Sequence, residues 1–367
     1  MKAYLATLAL IGLIVATEAQ DRLIVHEWGT FTSIAGEDGA ALEWRPLAEV
    51  SDLPGFVYRL SGLPGGLRER QDPNLKRVIP GTVRMETPVI YFYSERPTEV
   101  SVKVDFPGGK ITEWYPQARE VGVGIDWGKV LVMPGAETTL PVEAGNSHYY
   151  PARKTDAAPV RVCGANGEQY EKFLFYRGVG TFELPLKVTL EGNGVRTDGI
   201  GQIILFENRA GRIGYRIGGP GLIERPALEM DVRALHGELE RILVGHGLYA
   251  KEAAAMIETW RDQWFEEGLR VFYVLPRGVT DKVLPLAIEP APAEVVRVLV
   301  GRVELITPEM ERVIVGLAGQ LGAPTFAERE AATKALRKYG RFAEPILKRV
   351  MAETDDPEIR ARITERL

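Results

Sequence analysis

The segment LIVHEWGTFTSI, residues 23–34, is the strand around which we expect the whole chain to be organised. Most of it consists of Val, Ile, Thr, Phe and Trp, residue types that favour a pleated, half-buried strand. Inside this apolar run, His26 and Glu27 place a base beside an acid. A plain core strand rarely carries such a pair, so any chemical site is expected to be built on this strand.

Successive side chains of a strand point to opposite faces of its sheet. This alternation groups Val25 with Glu27 on one face and His26 with Trp28 on the other. His26 and Trp28 are therefore the pair best placed to act together. On this basis, His26→Gln is predicted to abolish ligand or metal binding while the melting temperature moves little.

Residues 1–19 have the features of a secretory signal peptide. Lys2 supplies a positive charge, residues 6–16 are apolar, and Ala19 is a small residue at a cleavage position. The apolar run is too short for a comfortable membrane span. The sequence predicts export to the periplasm or the extracellular space, with a retained N-terminal anchor as the alternative. No other segment approaches membrane length, so we expect no integral span after signal cleavage.

Length and composition narrow the class of protein. A chain of 367 residues forms two domains, or one large domain with an appendage. The net charge is -5 and there is no basic stripe, which argues against a nucleic-acid partner. Cys163 is the only cysteine, so an exported chain would have no internal disulfide and would depend on its apolar core.

Residues 20–306 are predicted to form a β-sandwich-type domain within a β-rich α+β fold. Val100, Val102 and Val104 alternate with polar residues, the period of a strand with one buried face. Gly and Pro pairs separate many short segments of this kind. The other strand candidates are residues 83–93, 110–115, 129–133, 172–176, 184–190, 201–206, 213–217, 269–275, 283–288 and 295–305.

Helical spacing interrupts this domain at about residues 227–268. Leu235, Leu239 and Leu243 recur at the period of a helix. A second helix is predicted over residues 249–267, with Gly268 as its C-cap. Because strand character returns directly afterwards, the helix pair is expected to be an insertion into the sheet domain.

Residues 307–367 are predicted to form a helical tail. Thr307 and Pro308 mark a helix start, and Thr325 with Glu328 makes a capping box. The segment FAEREAA, residues 326–332, with the residues that follow it resembles a HEAT-like repeat. One such repeat cannot bury a core alone, so the tail must pack on the β domain or on a partner.

A wider resemblance covers most of the mature chain. It is carried by HEWGTFTSIAGEDG (26–39), VRMETPVIYFYS (83–94), ITEWYP (111–116) and EKFLFYRGVG (171–180). These pieces resemble a family of exported bacterial proteins that has no assigned activity. The resemblance implies export and a shared β-rich fold, and it supplies no catalytic residues.

Three kinds of catalytic chemistry have candidate residues. A metal site of His26, His148 and a carboxylate is chemically reasonable, although the alternative is a hydrogen-bonded, partly buried histidine. A pair of carboxylates that includes Glu27 or Glu113 could run glycoside hydrolysis, although the ordinary explanations for such residues are salt bridges or simple exposure. A nucleophile could come from Ser147 or Cys163, but no nucleophile-elbow motif surrounds either.

The β region also concentrates aromatic residues beside cationic ones. Such a set can stack on sugar rings, or it can fill a sandwich core. The candidate ligand-binding residues are Trp28, Trp114, Tyr115, Tyr149, Tyr150, Arg153 and Arg177.

The sequence favours an exported binding or interaction protein whose ligand is a glycan or another protein. The alternative is a secreted hydrolase, glycan-directed or metal-assisted, that uses His26, Glu27, Glu113 and His148. Convergence of these groups with Arg177 in one cleft would favour the hydrolase, and burial in separate ion pairs would favour the binding protein. The sequence specifies no cofactor.

Overall fold

The computed structural model describes residues 22–47, 52–60 and 79–367. Its largest element is a mixed nine-stranded sheet with β1 (Ile24–Ala35) at the centre. β1 pairs in parallel with one neighbour, β18 (Glu294–Leu305), and antiparallel with the other, β3 (Val83–Tyr93). In spatial order the strands are β14 (Arg212–Gly218), β13 (Ile203–Arg209), β16 (Gly268–Val274), β18, β1, β3, β10 (Leu174–Gly180), β5 (Gly109–Tyr115) and β2 (Tyr58–Arg59).

Two smaller sheets complete the β region. The six-stranded sheet consists of β17 (Leu286–Glu289), β4 (Thr98–Asp105), β7 (Gly124–Val132), β8 (Val160–Gly164) and β9 (Gly167–Glu171), with β6 (Glu120–Val121) paired to β7. The three-stranded sheet consists of β11 (Lys187–Glu191), β12 (Gly194–Asp198) and β15 (Gly221–Glu224).

One apolar core lies between the large sheet and the smaller ones. β1 contributes Val25 and Phe31 to it, and β4 contributes Val100, Val102 and Val104. Ser101 and Lys103, between those valines, are exposed, as the alternation of β4 predicts. The predicted β-rich α+β fold of sandwich type is therefore confirmed.

β1 has a bulge at Gly29, where its pairing with β3 shifts between Trp28 and Thr30. A Cβ atom at Gly29 would lie 2.9 Å from the Cα of Pro88, so only glycine allows this close approach. On β3 the adjoining Thr87 has a positive φ of 48°. Both strands thus bend at the same level of the sheet.

Two helices cover the opposite face of the large sheet: α1 (Val232–Gly245) and α2 (Ala250–Thr259). Leu239 and Leu243 of α1 and Met256 of α2 pack with Trp28 and Val298 in a second apolar core. Asp231 caps α1 by accepting a hydrogen bond from the backbone N–H of Arg233. Both helices fall within the insertion expected at about residues 227–268.

The predicted second helix is too long. α2 ends at Thr259, and Gly268 is the first residue of β16 instead of a helix cap. Trp260 and Trp264 continue the helical spacing because both are buried under the helices. The helical spacing of these two residues therefore reflects their burial in the second core. It does not show that the helix continues, because α2 has already ended.

Other expected boundaries also shift. Residues 283–288 are not one strand, because α3 (Arg277–Val283) ends where that strand was expected to begin and β17 starts at Leu286. The strand predicted over residues 184–190 begins later than expected, because β11 starts at Lys187. β8, β9, β12 and β15 were not predicted, since they are short and mostly lack a run of alternating apolar residues.

The C-terminal region is helical: α4 (Pro308–Gly319), α5 (Phe326–Leu336), α6 (Gly340–Glu353) and α7 (Pro357–Arg366). Thr307 caps α4, and Thr325 forms the predicted capping box with Glu328. No helix in the described part of the chain is long and apolar enough to cross a membrane. The signal segment expected over residues 1–19 lies outside the described residues.

Candidate functional site

His26 lies on the helix-covered face of β1 and is 1% exposed. Its Nδ1 is 2.7 Å from Oε2 of Glu252 on α2, and the ring centroid of Tyr249 lies 4.4 Å from the centroid of the imidazole. The hydroxyl of Tyr93 donates to the other carboxylate oxygen of Glu252 at 2.8 Å. His26 therefore joins the central strand to the inserted helices through a buried polar cluster.

This burial reverses the expectation for His26→Gln. The amide nitrogen of glutamine lies one bond farther from the backbone than Nδ1 of histidine, so it does not reproduce this hydrogen bond, and the Glu252 carboxylate loses a buried partner. The change should lower the free energy of unfolding by about 1–3 kcal/mol. Chemical denaturation of the purified variant measures this loss, and an unfolding midpoint equal to that of the wild type would contradict it.

Glu27 points to the other face of β1 and is fully buried. Its Oε1 accepts a hydrogen bond from the hydroxyl of Tyr176, and its Oε2 accepts one from Nε of Arg297, each at 2.5 Å. Arg297 also donates from Nη1 to Oδ1 of Asp281 at 2.8 Å. Glu27 thus fixes the position of a buried guanidinium group.

The predicted acid and base therefore do not form one site. His26 and Glu27 lie on opposite faces of the sheet, as the alternation of the strand predicted. His26 is hydrogen-bonded to Glu252, and Glu27 is paired with Arg297. Glu113 lies on β5, three strands from β1. At about 4.8 Å per strand, that separation is on the order of 14 Å.

A second polar cluster surrounds Arg177, beside the bulge of the large sheet. Arg177 is 5% exposed and donates to Oγ1 of Thr87 from Nε at 3.2 Å and from Nη2 at 3.1 Å. Its Nη2 lies 3.9 Å from Oδ1 of Asp52. Glu113 is the cross-strand neighbour of Arg177, and His148 binds Asp52 through Nδ1 at 2.5 Å. Three predicted residues, Arg177, Glu113 and His148, therefore lie in one neighbourhood.

His148 is already engaged by carboxylates on both sides of its ring. His148 Nε2 also lies 3.1 Å from Oδ2 of Asp262, so both ring nitrogens have carboxylate partners. Burial alone would raise the pKa of Asp52, but the hydrogen bond from His148 and the charge of Arg177 hold it below its ordinary value of 3.8. With both nitrogens engaged, His148 is arranged to anchor Asp52 and not to act as a base.

The stability contribution of His148 should depend on pH. The hydrogen bond to Asp52 raises the pKa of His148 above its ordinary value of 6.5. The stabilisation is therefore fully present below about pH 6.5 and is lost as the pH rises through the raised value. His148→Gln should lower the melting temperature more at about pH 6 than at about pH 9. An equal effect at both pH values would contradict this assignment.

The predicted aromatic platform is not one exposed surface. Trp28 is fully buried under the inserted helices, and Tyr115 and Tyr149 are 4% and 1% exposed. Trp114 is half-buried and stacks on Tyr58 with 6.0 Å between ring centroids. Tyr150 is half-buried beside these buried tyrosines.

Tyr149, Tyr150 and Arg153 do come together, around the buried carboxylate of Glu171. Arg153 donates to that carboxylate from Nε at 2.9 Å and from Nη2 at 2.6 Å, and the hydroxyl of Tyr149 donates at 2.9 Å. Burial raises the pKa of Glu171. These groups satisfy one another, so the cluster is built as a cross-link between the loop before β8 and the end of β9.

The nucleophile candidates are not assembled either. Oγ of Ser147 accepts a hydrogen bond from the backbone N–H of Tyr149. Cys163 is exposed on β8, with Sγ 4.0 Å from Oε1 of Glu168. Within residues 22–47, 52–60 and 79–367, no group of three or more His, Cys, Asp or Glu side chains is arranged to hold a metal ion.

A cavity of about 560 Å³ opens at one end of the large sheet, beneath the C-terminal half of α1. The start of β13, the end of β16 and the start of β18 meet there, because these neighbours run antiparallel. Most of the wall is apolar: Ile204, Leu239, Ile242, Leu243, Phe272, Val274, Leu275, Val296 and Val300.

Polar residues border this cavity. Gln202, His246 and Arg277 belong to the lining and are exposed. Arg297, which Glu27 holds, is also part of the wall. Val296 is the register partner of His26 on the parallel neighbour of β1, so the predicted strand lies one strand away from the cavity.

The sequence did not indicate this cavity. Its wall comes from four segments that are far apart along the chain, and each contributes residues that belong to an ordinary strand or helix face. The helical spacing of Leu239 and Leu243 predicted a buried helix face, and the strand candidates 201–206, 269–275 and 295–305 predicted strands. Neither pattern shows that the packing between helix and strands is incomplete.

No model of a known protein family matches the chain, and the search of curated proteins found no match.

Proposed function

We propose that the protein is an exported binding protein whose cavity beneath α1 holds a small, largely apolar molecule. The observation that supports this most strongly is the cavity itself. Its volume of about 560 Å³ falls in the range of small-molecule sites, which bury most of their ligand in concave, mainly apolar pockets.

The arrangement of the acidic and basic residues supports binding over hydrolysis. His26 is engaged with Glu252, Glu27 with Arg297, and His148 with two aspartates. Burial in separate pairs is the arrangement expected of a binding protein. A glycan ligand has less support than an apolar one, because most of the aromatic residues proposed to stack on it are buried in the cores.

Binding can be tested with N-phenyl-1-naphthylamine, a neutral reporter whose fluorescence rises in apolar surroundings. We expect saturable binding to the wild type and a loss of about tenfold or more in affinity for Ile242→Trp, because the indole fills the cavity from its half-exposed rim. Val244→Trp is the matched control, since Val244 lies on the same helix, is 41% exposed and does not line the cavity.

Three results would contradict this proposal. The first is absence of saturable reporter binding to the folded wild-type protein. The second is equal affinity in Ile242→Trp and the wild type. A loss in Val244→Trp as large as that in Ile242→Trp would also place the reporter outside the cavity.

The export in this proposal rests on the sequence of residues 1–19, and N-terminal sequencing of the protein secreted by a bacterial host tests it.

We further propose that the C-terminal helices are a HEAT-like module, on the resemblance carried by residues 326–332. Helical repeats commonly provide docking surfaces, and this module would let the protein engage a second protein.

A further inference from the structure

A second pocket, of about 460 Å³, lies where strand ends of the large sheet and of the six-stranded sheet meet. Its lining comes from the end of β3, the segments that follow β7 and precede β8, and the connection between β9 and β10. It shares no lining residue with the cavity beneath α1, so the two are separate sites. The polar side chains of its lining are those of Tyr93, Ser94, Thr138, Asp156 and Lys172.

The ammonium group of Lys172 is fixed at the wall of this pocket. Lys172 is half-buried, and its Nζ donates to the backbone oxygens of Thr155 at 3.0 Å and Ala157 at 3.1 Å. These contacts use two of the three N–H donors of an ammonium group. Among the described residues, no other acceptor bonds to Nζ and no carboxylate forms an ion pair with it. One donor and an unpaired positive charge therefore remain for a ligand.

The carboxylates that act on this charge already have other partners. Asp156 is paired with Lys251 at 2.6 Å, and Glu171 with Arg153 at 2.6 Å. Burial lowers the pKa of Lys172, although the charges of Asp156 and Glu171 act to raise it. A partly buried charge without a counter-charge is destabilising. An anion beside Nζ would therefore stabilise the charged form of Lys172.

The charge of this neighbourhood selects the kind of anion. Its three cations, Lys172, Lys251 and Arg153, face two carboxylates, Asp156 and Glu171, so one positive charge is uncompensated. A carboxylate ligand carries one negative charge and restores the balance. A phosphate monoester carries about 1.5 to 2 negative charges at neutral pH and would leave an excess beside Asp156.

We propose that this pocket binds a small organic carboxylate, which accepts the third hydrogen bond of Lys172 and packs its apolar part against the wall. The site is independent of the proposed cavity ligand, so the protein would hold two different molecules. The apolar residues of the wall are Pro134, Ala136, Leu140, Ala157, Ala158 and Pro159.

An NMR titration of the ¹⁵N-labelled protein with benzoate tests this site, because changes in amide shifts both locate a ligand and give its affinity. We expect saturable shifts at residues 134–140 and 156–159. Benzamide is a neutral molecule of nearly the same shape. It should bind about tenfold more weakly or less, because it cannot form a charge-assisted hydrogen bond with Lys172. Phenyl phosphate should bind no more tightly than benzoate.

Two variants and a control test the residues. Lys172→Met removes the charge and keeps an unbranched side chain, so it should weaken benzoate binding by about tenfold or more. Ala136→Trp fills the pocket from its half-buried wall and leaves Lys172 in place, so it should cause a similar loss even if Lys172→Met is unstable. Lys154→Met is the matched control, since Lys154 forms an exposed pair with Glu258 and does not line the pocket.

Four results would overturn the proposal. Absence of saturable shifts with benzoate means that the pocket is not a carboxylate site. Equal affinities for benzoate and benzamide show that the charge of Lys172 is not used. Tightest binding of phenyl phosphate makes the pocket a phosphate site. Wild-type affinity in Ala136→Trp, or a loss in Lys154→Met as large as that in Lys172→Met, places the ligand elsewhere on the surface.

Discussion

Glu27→Ala should lower the free energy of unfolding by about 3–5 kcal/mol, because it leaves a buried charge without its partner. The substitution removes the carboxylate that accepts from both Tyr176 and Arg297, and all three residues are buried. Arg297 would keep only the half-exposed Asp281 as a counter-charge. Chemical denaturation followed by circular dichroism measures the loss.

Glu27→Gln and Arg22→Ala serve as controls for this prediction. Glutamine keeps the size of the side chain and one acceptor oxygen while removing the charge, so its effect should lie between those of the wild type and alanine. Arg22 forms an exposed pair with Glu294 at 3.1 Å, and breaking it should cost about 0–1 kcal/mol. If Glu27→Ala costs no more than Arg22→Ala, the buried pair makes no net contribution to stability.

The faces of β1 could be predicted from the sequence, but the partners of its side chains could not. Strand alternation placed His26 and Glu27 on opposite faces, and the structure shows this. The partners, Glu252 and Arg297, are 226 and 270 residues away along the chain. Which of the many charged residues meet in space depends on sheet order, and a single sequence contains no direct signal for that order.

Breaks in regular structure were also hidden from the sequence. The bulge at Gly29 depends on the close approach of Pro88 from the neighbouring strand, which is a tertiary contact. The end of α2 at Thr259 was obscured because Trp260 and Trp264 remain buried beyond the helix. In both places packing between distant segments overrides the local pattern.

The C-terminal helices and the sheet domain pack against each other through one apolar core. Ile34 at the end of β1, Trp44 and Ile306 pack in one apolar core with Leu336 and Leu347 of the helical region. A leucine loses about 1.5–3 kcal/mol when its side chain returns to water, so the helices lose much of their burial if the sheet domain is removed.

Polar contacts also cross this boundary. Oε1 of the buried Glu344 on α6 accepts a hydrogen bond from Nε of Arg45 at 2.8 Å, and the backbone N–H of Arg45 donates to Oε2 at 3.2 Å. Arg341 of the same helix bonds to Glu304 on β18 at 3.1 Å. Glu344 would therefore lose both contacts to Arg45 in an isolated tail.

An isolated fragment of residues 307–367 should consequently show no cooperative thermal transition, whereas the full chain should melt cooperatively. Its four helices are 10–14 residues long, a length at which helices in water depend on tertiary packing. Circular dichroism of the fragment and of the full chain, compared in one buffer, gives the result. A cooperative transition of the fragment close to the melting temperature of the full chain would show that the helical region is an independent domain, and that its apolar contact with Ile34, Trp44 and Ile306 is not required for folding.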